Sequence, residues 1–480
     1  MPIWLPQWLP LQDLPQHLAA IRVISDFSHV ELQFAQFFEL NFLQTQYVGY
    51  YGAVWLLSSV FEVDVANRIF LTLALAATPY SMRYLLAKLG RPPGLTLFVF
   101  PLLFNTFLLL GFLNFIAAIP LMLLGMGLAA RLHDDYSRGA AIGLAITGVG
   151  CFLMHVIPFA FLAVAGGLLG VRDSLAATFK RWIPLLPSGL LSVAWTLLSP
   201  AGGSTTEAVG DGGRFRPWLE ALRDLPNWLT NLTPQAQDER LLVYYGLILV
   251  ATIALGVGVD RSDDSGERHW FPLAQRIAVL SPLALLGYFA LPISYDWIWP
   301  ISPRFALLGL LLLIPAIPTP RRVPTYVLGA LLIVVSVSNF HHVTEQFQAY
   351  SQDEVGDLQQ ALDDIPRGQR VAGLIFDRGS DHIRFSPFIH SVAYYQAQKG
   401  GAVMFTFADF PQSPFRFRED SRPPRVQPRW EWTPQKVDPR QDLDWYDYVL
   451  VRGGPGRIAQ QQDSFSLQYE DARWSVWKRR

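Results

Sequence analysis

From Leu95 to Ala130 the chain runs without one charged side chain. A water-soluble core has no need of so long an uncharged stretch, whereas hydrocarbon imposes it, because a charge at mid-bilayer costs roughly 3 kcal/mol or more. Composition agrees: 51% of the 480 residues are hydrophobic, only 16% are charged, and the mean hydropathy is +0.25. Lipid is therefore the expected solvent for much of the chain. A net charge of −1 offers no field that would draw in nucleic acid, and the 15 Trp and 17 Tyr suit a membrane–water interface better. The single cysteine, Cys151, excludes an internal disulfide and a cysteine-based zinc cluster, and it reads as packing.

Apolar blocks that cross or nearly cross a bilayer run over Ile69–Leu89, Leu95–Gly111, Phe112–Ala130, Gly139–Phe152, His155–Val171, Trp182–Leu198, Leu241–Val259, Ile277–Pro292, Phe305–Ile317 and Tyr326–Phe340. Several fall short of the roughly 20 residues a perpendicular helix needs. The expectation is thus a polytopic α-helical membrane protein with nine or ten membrane helices, the pair meeting at Cys151–His155 being the least secure. Basic residues gather in alternate loops: Lys88/Arg91, Arg131/Arg138, Arg172/Lys180/Arg181, Arg261/Arg268/Arg276 and Arg321/Arg322. That side is expected to be cytoplasmic.

By this count the segment up to Arg68 and everything after Phe340 are extracytoplasmic. The expected organisation is residues 1–68 as an extracytoplasmic loop with interfacial helices, 69–340 as the multispan body, and 341–480 as an extracytoplasmic α/β domain. The aromatic run Tyr47–Phe61 is too short to span and ends at Glu62 and Asp64, which predicts a helix lying in the outer interface. Met1–Gln12 carries three prolines and no basic residue, unlike the start of a signal peptide, and reads as the interior of a loop. In the tail, Arg370–Phe376, Ala402–Phe407 and Tyr446–Val451 predict strands, Ile389–Lys399 a helix, and Phe465–Tyr469 and Trp474–Lys478 further strands, forming a small α/β unit.

Chemistry is expected first in the N-terminal segment, where Asp13, His17, Asp26, His29, Glu31 and Glu39 crowd together. Pro15 suits the first turn of a helix, so Asp13 falls at its start, either as a cap or as a carboxylate aimed into a cleft. His17 lies one turn on, as a second acid/base group, a metal ligand or an idle solvated side chain. Arg304 follows the aromatic loop Tyr295–Trp299 and heads a span, where a guanidinium either grips a phosphate bidentately or merely reaches the headgroups. Arg68 before Ile69 carries the same two readings. His155 at membrane depth is a functional candidate by its cost, or a residue in touch with interfacial water. Asp377, Asp381 and His382 follow the first tail strand, at the end where such sheets bind ligands; acceptor recognition and plain packing are both open.

The order of elements from Asp13 to Gly90 resembles a known family. An acidic residue in an extracytoplasmic loop, an aromatic interfacial helix (Tyr47-Val-Gly-Tyr-Tyr-Gly-Ala-Val-Trp-Leu-Leu) and then Ala66-Asn-Arg68 opening a membrane helix is similar to the GT-C superfamily of membrane glycosyltransferases. That superfamily includes the protein mannosyltransferases and the lipid A aminoarabinose transferases. The resemblance implies a lipid-linked sugar as donor and Asp13 as base or metal-coordinating residue. A divalent metal ion is expected as cofactor, and by their placement Arg304, Arg68 and His155 are the candidates to bind the donor. This chain departs from the pattern in having Leu14, not a second acid, after Asp13, and in lacking the family's first membrane helix.

The function so implied is transfer of a sugar from a polyprenyl-phosphate carrier to an extracytoplasmic acceptor, in a bacterial inner membrane. Two rivals stand beside it: a non-enzymatic transporter or envelope-assembly subunit, and a GT-C-like protein that has lost catalysis. The sequence says nothing of oligomeric state.

Overall fold

The computed structural model describes residues 2–42, 45, 47–199, 213–257, 271–295, 298–423, 430–454, 458 and 464–480. Arg261, Arg268, Asp296 and Trp297, which entered the sequence reading, lie outside them. The chain divides into two compact units: residues 1–70, 109–111 and 344–480 form the first, and residues 71–108 and 112–343 the second.

The second unit is helical. Among the described residues, five helices are long and apolar enough to cross a membrane: Val63–Lys88, Leu113–Asp134, Gln237–Val257, Leu273–Ala290 and Arg322–Glu354. Shorter apolar helices, Arg138–Met154 and Val156–Gly170, pack on Leu113–Asp134. Small residues allow the close approach: a Cβ at Gly125 would lie 2.7 Å from a Leu162 methyl, and one at Gly127 2.5 Å from the Tyr84 ring. At one end of this packing Arg181 donates to the carbonyls of Leu132 and His133, and Arg276 to those of Leu168 and Val171. Cations are favoured there because helix C-termini leave carbonyls unpaired.

The block Leu95–Gly111, expected as one span, is instead a 3-10 run at Pro93–Leu102 followed by a single helical turn, Thr106–Leu109. Pro101 removes an amide that an α-helix would use. Asn105 completes the break: its amide donates to Leu102 and Leu103 carbonyls, and its oxygen accepts from the amides of Phe107 and Leu108. Conversely, the helix over the expected span at Tyr326–Phe340 runs on well past Phe340, as Arg322–Ala349 continued by a π-turn at Tyr350–Glu354.

In the first unit the tail forms a five-stranded sheet in the order Ala402–Val403, Arg370–Ile375, Tyr448–Arg452, Trp474–Arg479, Phe465–Glu470. The first three are parallel and the last two antiparallel. Arg370–Ile375 and Tyr448–Arg452 are buried on both faces, which is why they read as unbroken apolar runs. Helix Val392–Lys399 joins the first two parallel strands, and Gly401, at φ +72°, turns the chain where a Cβ would lie 2.0 Å from the Gln369 carbonyl. The strand expected over Ala402–Phe407 stops at Val403 because Phe405 takes φ +58°.

What the tail reading missed is its partner. Helix Leu14–Ser25 lies against Val392–Lys399, with Leu14, Leu18, Ala19, Ala20 and Ile21 buried. Strand Phe38–Leu40 pairs antiparallel with Phe415–Phe417. Gln16 acts as a piece of false backbone: its oxygen accepts from the Phe407 amide, and its nitrogen donates to the Phe405 carbonyl.

Candidate functional site

Asp13 stands at the N-cap of helix Leu14–Ser25, yet its carboxylate makes no capping hydrogen bond. Its backbone amide is instead bound by the Leu110 carbonyl at 3.2 Å, while Gln12 binds Leu109 at 2.9 Å. Gly111, at φ +85°, makes this approach possible, since a Cβ there would lie 2.8 Å from the Asp13 nitrogen. Freed from the cap, the carboxylate lies 3.3 Å from His390 Nε2. The other ring nitrogen, Nδ1, lies 4.0 Å from Glu431 Oε2 and has no hydrogen-bond partner among the described residues.

His390 was not singled out by the sequence, and neither was Glu431. His390 occupies the turn before helix Val392–Lys399, where its carbonyl accepts from Ala393. Glu431 sits in the short turn Trp430–Trp432. Burial alone pulls the His390 pKa down, but the hydrogen bond it donates to Asp13 and the charges of Glu431 and Asp13 outweigh it and leave the pKa above its ordinary value. Burial likewise raises the Glu431 carboxyl, against the pull of His390, with Asp13 and Asp409 adding to the rise. The centre is thus an imidazole between two carboxylates, each side chain at most 22% exposed.

A group whose pKa rises on folding stabilises the fold below its unfolded pKa, and that stabilisation is lost as pH climbs through the folded pKa. The Asp13–His390 contact is therefore expected to be at full strength below the ordinary imidazole range and to weaken above it. Thermal unfolding of the wild-type chain should show a Tm decline across the elevated His390 pKa. In Asp13→Asn that decline should shift to lower pH; identical Tm-versus-pH curves would refute the pairing.

His17 lies one turn from Asp13 but is committed elsewhere. Nε2 meets the Gly111 carbonyl at 3.0 Å and Nδ1 the Tyr51 hydroxyl at 3.0 Å. Burial drives its pKa down to about 4, against the raising effects of Asp13 and Gly111. The ring is neutral at neutral pH, donating to Gly111 and accepting from Tyr51. Its geometry is that of a strut beneath Asp13, seated among Tyr50, Tyr51 and Phe407.

Arg68 is likewise spent on structure. Its guanidinium binds Asp64 at 2.6 Å and donates to the carbonyls of Ile3, Pro6 and Gln7 at 2.6, 3.0 and 2.7 Å. These bonds fold the proline-rich N-terminal segment onto the helix. Charge-assisted hydrogen bonds contribute about 1.5–3 kcal/mol each, so Arg68→Ala is expected to destabilise the first unit by at least about 3 kcal/mol. Hydrogen exchange should then rise at Trp4–Leu9; unchanged protection there would contradict this role.

The second unit holds Arg304 and His155. Arg304 opens helix Arg304–Leu313, is 9% exposed, and places Nη1 2.8 Å from His155 Nε2. Its guanidinium lies over the Phe112 and Phe115 rings at 4.7 and 6.0 Å. His155 caps helix Val156–Gly170 by accepting the Ile157 amide at Nδ1, 3.1 Å away. A neutral imidazole has one acceptor nitrogen, yet two donors address this ring. An anion that drew Arg304 away would relieve the competition.

The tail residues Asp377, Asp381 and His382 all have partners within the first unit. Asp377 lies 3.7 Å from the buried Arg452, the Asp381 amide binds Glu354, and His382 meets Gln346 at 3.2 Å. No group of three His, Cys, Asp or Glu side chains among the described residues converges as metal ligands. Around Asp13 the His390 ring itself stands between the two carboxylates, so the described residues offer the expected divalent ion no donor set there.

No family model matches the chain, and no curated protein matches it. Among solved structures, ArnT from Cupriavidus metallidurans is similar. In its apo state it shares 10% identity at a TM-score of 0.52, covering 99% of this chain and 94% of that one. Bound to undecaprenyl phosphate it shares 11% identity at a TM-score of 0.51, covering 99% and 95%. At this identity the likeness establishes the fold alone: the chain shares its overall fold with these two ArnT structures.

Proposed function

We propose that this chain is a membrane glycosyltransferase that moves a sugar from a polyprenyl-phosphate carrier to an extracytoplasmic acceptor. The observation that carries the reading is the state of Asp13: a carboxylate at a helix start that leaves the cap empty and turns to a buried imidazole. An N-cap bond is typically worth about 1 kcal/mol, and forgoing it is hard to explain if Asp13 serves only the helix.

In this reading Asp13 takes the proton from the acceptor hydroxyl as the sugar is transferred. His390 holds the carboxylate in place, and Glu431 supports the imidazole from its other side in a buried setting. His17 and Gly111 fix the backbone beneath Asp13. In the second unit, Arg304 is assigned to the phosphate of the lipid carrier, with His155 as its partner; a planar guanidinium suits a phosphate's oxygens. That an ArnT structure of the same fold binds undecaprenyl phosphate supports a lipid phosphate as the ligand. The helices long enough to span are read as membrane helices in an inner membrane, with the first unit, as in the expected loop and tail segments, outside the cytoplasm.

The test is turnover of a radiolabelled polyprenyl-phosphate sugar by the full chain in vesicles, wild type against Asp13→Asn. Turnover by the wild type and its collapse in the variant support the reading. Equal turnover removes Asp13 as base, and no turnover by the wild type returns the field to the non-enzymatic alternatives.

A further inference from the structure

Glu431 belongs to the turn Trp430–Trp432, and its neighbour Trp432 does something different. While the Glu431 carboxylate turns to His390, the Trp432 side chain remains 39% exposed, the sort of surface area an indole gives up readily. Arg378 is drawn to it: the guanidinium lies 5.4 Å from the ring centroid, and Nη1 donates to the Trp432 carbonyl. Arg378 comes from the loop that leaves strand Arg370–Ile375 at its carboxyl end, where sheets with parallel strands place their ligands. The adjoining Asp377 side chain is 55% exposed.

An exposed indole, a guanidinium that donates from Nη1 to a backbone carbonyl, and a carboxylate at the same sheet end make a recognisable set of needs. The flat apolar face suits the C–H face of a pyranose. The carboxylate accepts from sugar hydroxyls, and the guanidinium fork takes an acidic substituent bidentately. A nucleotide is a poorer match, because no glycine-rich loop opens a helix here to cradle its phosphates.

We propose that Arg378 and Trp432 form the acceptor subsite, and that the acceptor is a saccharide bearing an acidic group. The proposal rests on the transferase reading above and names its second substrate. One backbone step links the ring that would hold the acceptor to the carboxylate that supports His390, so occupancy of the subsite and the state of the Asp13 centre share one turn of chain.

The experiment is saturation-transfer NMR on the full chain in detergent, with glucuronic acid and glucose as probes. No lipid-linked donor is present, so a chain that transfers no sugar still reports this binding, and failure here is distinct from failure of the transferase reading. Saturation should reach the ring protons of glucuronic acid more strongly than those of glucose. Trp432→Ala should abolish it and Trp432→Phe retain most of it, while Arg378→Gln should weaken glucuronic acid about 10-fold and erase the preference. Equal saturation in wild type and Trp432→Ala, or a preference that survives Arg378→Gln, would overturn the proposal.

Discussion

Replacing Asp13 by asparagine is expected to cut sugar transfer by about 10²–10⁴-fold, the usual contribution of a positioned general base. The change is close to isosteric. No cap bond is lost, because none is made, and the backbone bond from Asp13 to Leu110 is untouched. An asparagine oxygen can still accept from His390, so the variant should fold, with its Tm lowered chiefly across the pH range in which wild-type His390 keeps its elevated charge. The loss should fall on kcat and leave KM for the lipid-linked donor nearly unchanged, the signature of an interaction made mainly in the transition state. Asp13→Glu restores a base but displaces it by one methylene, and should recover only part of the rate. A matched fall in Tm and turnover would mean that Asp13 is a structural residue.

Arg304→Gln is the second large effect. Removing a cation that steadies a leaving phosphate commonly costs about 10²–10³ in rate, and the same variant should bind undecaprenyl phosphate at least about 10-fold more weakly, in line with the loss of a charge-assisted bidentate contact. Arg304→Lys should recover little, because an ammonium offers a point charge in place of a fork. Native mass spectrometry of the detergent-solubilised chain with undecaprenyl phosphate reads the binding, and radiolabel transfer reads the rate. Undiminished lipid-phosphate binding in Arg304→Gln would assign Arg304 to packing on Phe112 and Phe115 alone.

How much of this was legible beforehand depends on the range over which each signal acts. Hydrophobic clustering is local, so the helical body and most of the tail's strands were readable from runs such as Arg370–Ile375 and Tyr448–Arg452. The block Leu95–Gly111 misled because apolarity alone does not make a helix; Pro101 and the side chain of Asn105 break it. Asp13 could be found from its place before Pro15, but its role could not, because cap and cleft look alike until the carboxylate's direction is seen. Arg68 looked like a phosphate ligand because its target, the carbonyls of Ile3, Pro6 and Gln7, is backbone and leaves no mark in residue types.

His390 and Glu431 were beyond reach for a different reason. They meet Asp13 only because helix Leu14–Ser25 docks on helix Val392–Lys399, and a contact between opposite ends of one chain has no periodicity to announce it. The one available hint was Ile389–Lys399 itself, a tail helix with a histidine near its start and no obvious surface role. The expected metal fared no better, since acids and imidazoles close in sequence carry no information on whether their side chains converge.

The account stands or falls on Asp13 and His390 working as one unit, and a double-mutant cycle on sugar transfer measures that directly. Asp13→Asn, His390→Gln and the double variant are compared with wild type in the same vesicles. The predicted result is strong non-additivity, with the double variant little slower than Asp13→Asn alone, as for residues that act together. Losses that simply multiply would show two independent residues and contradict the centre described.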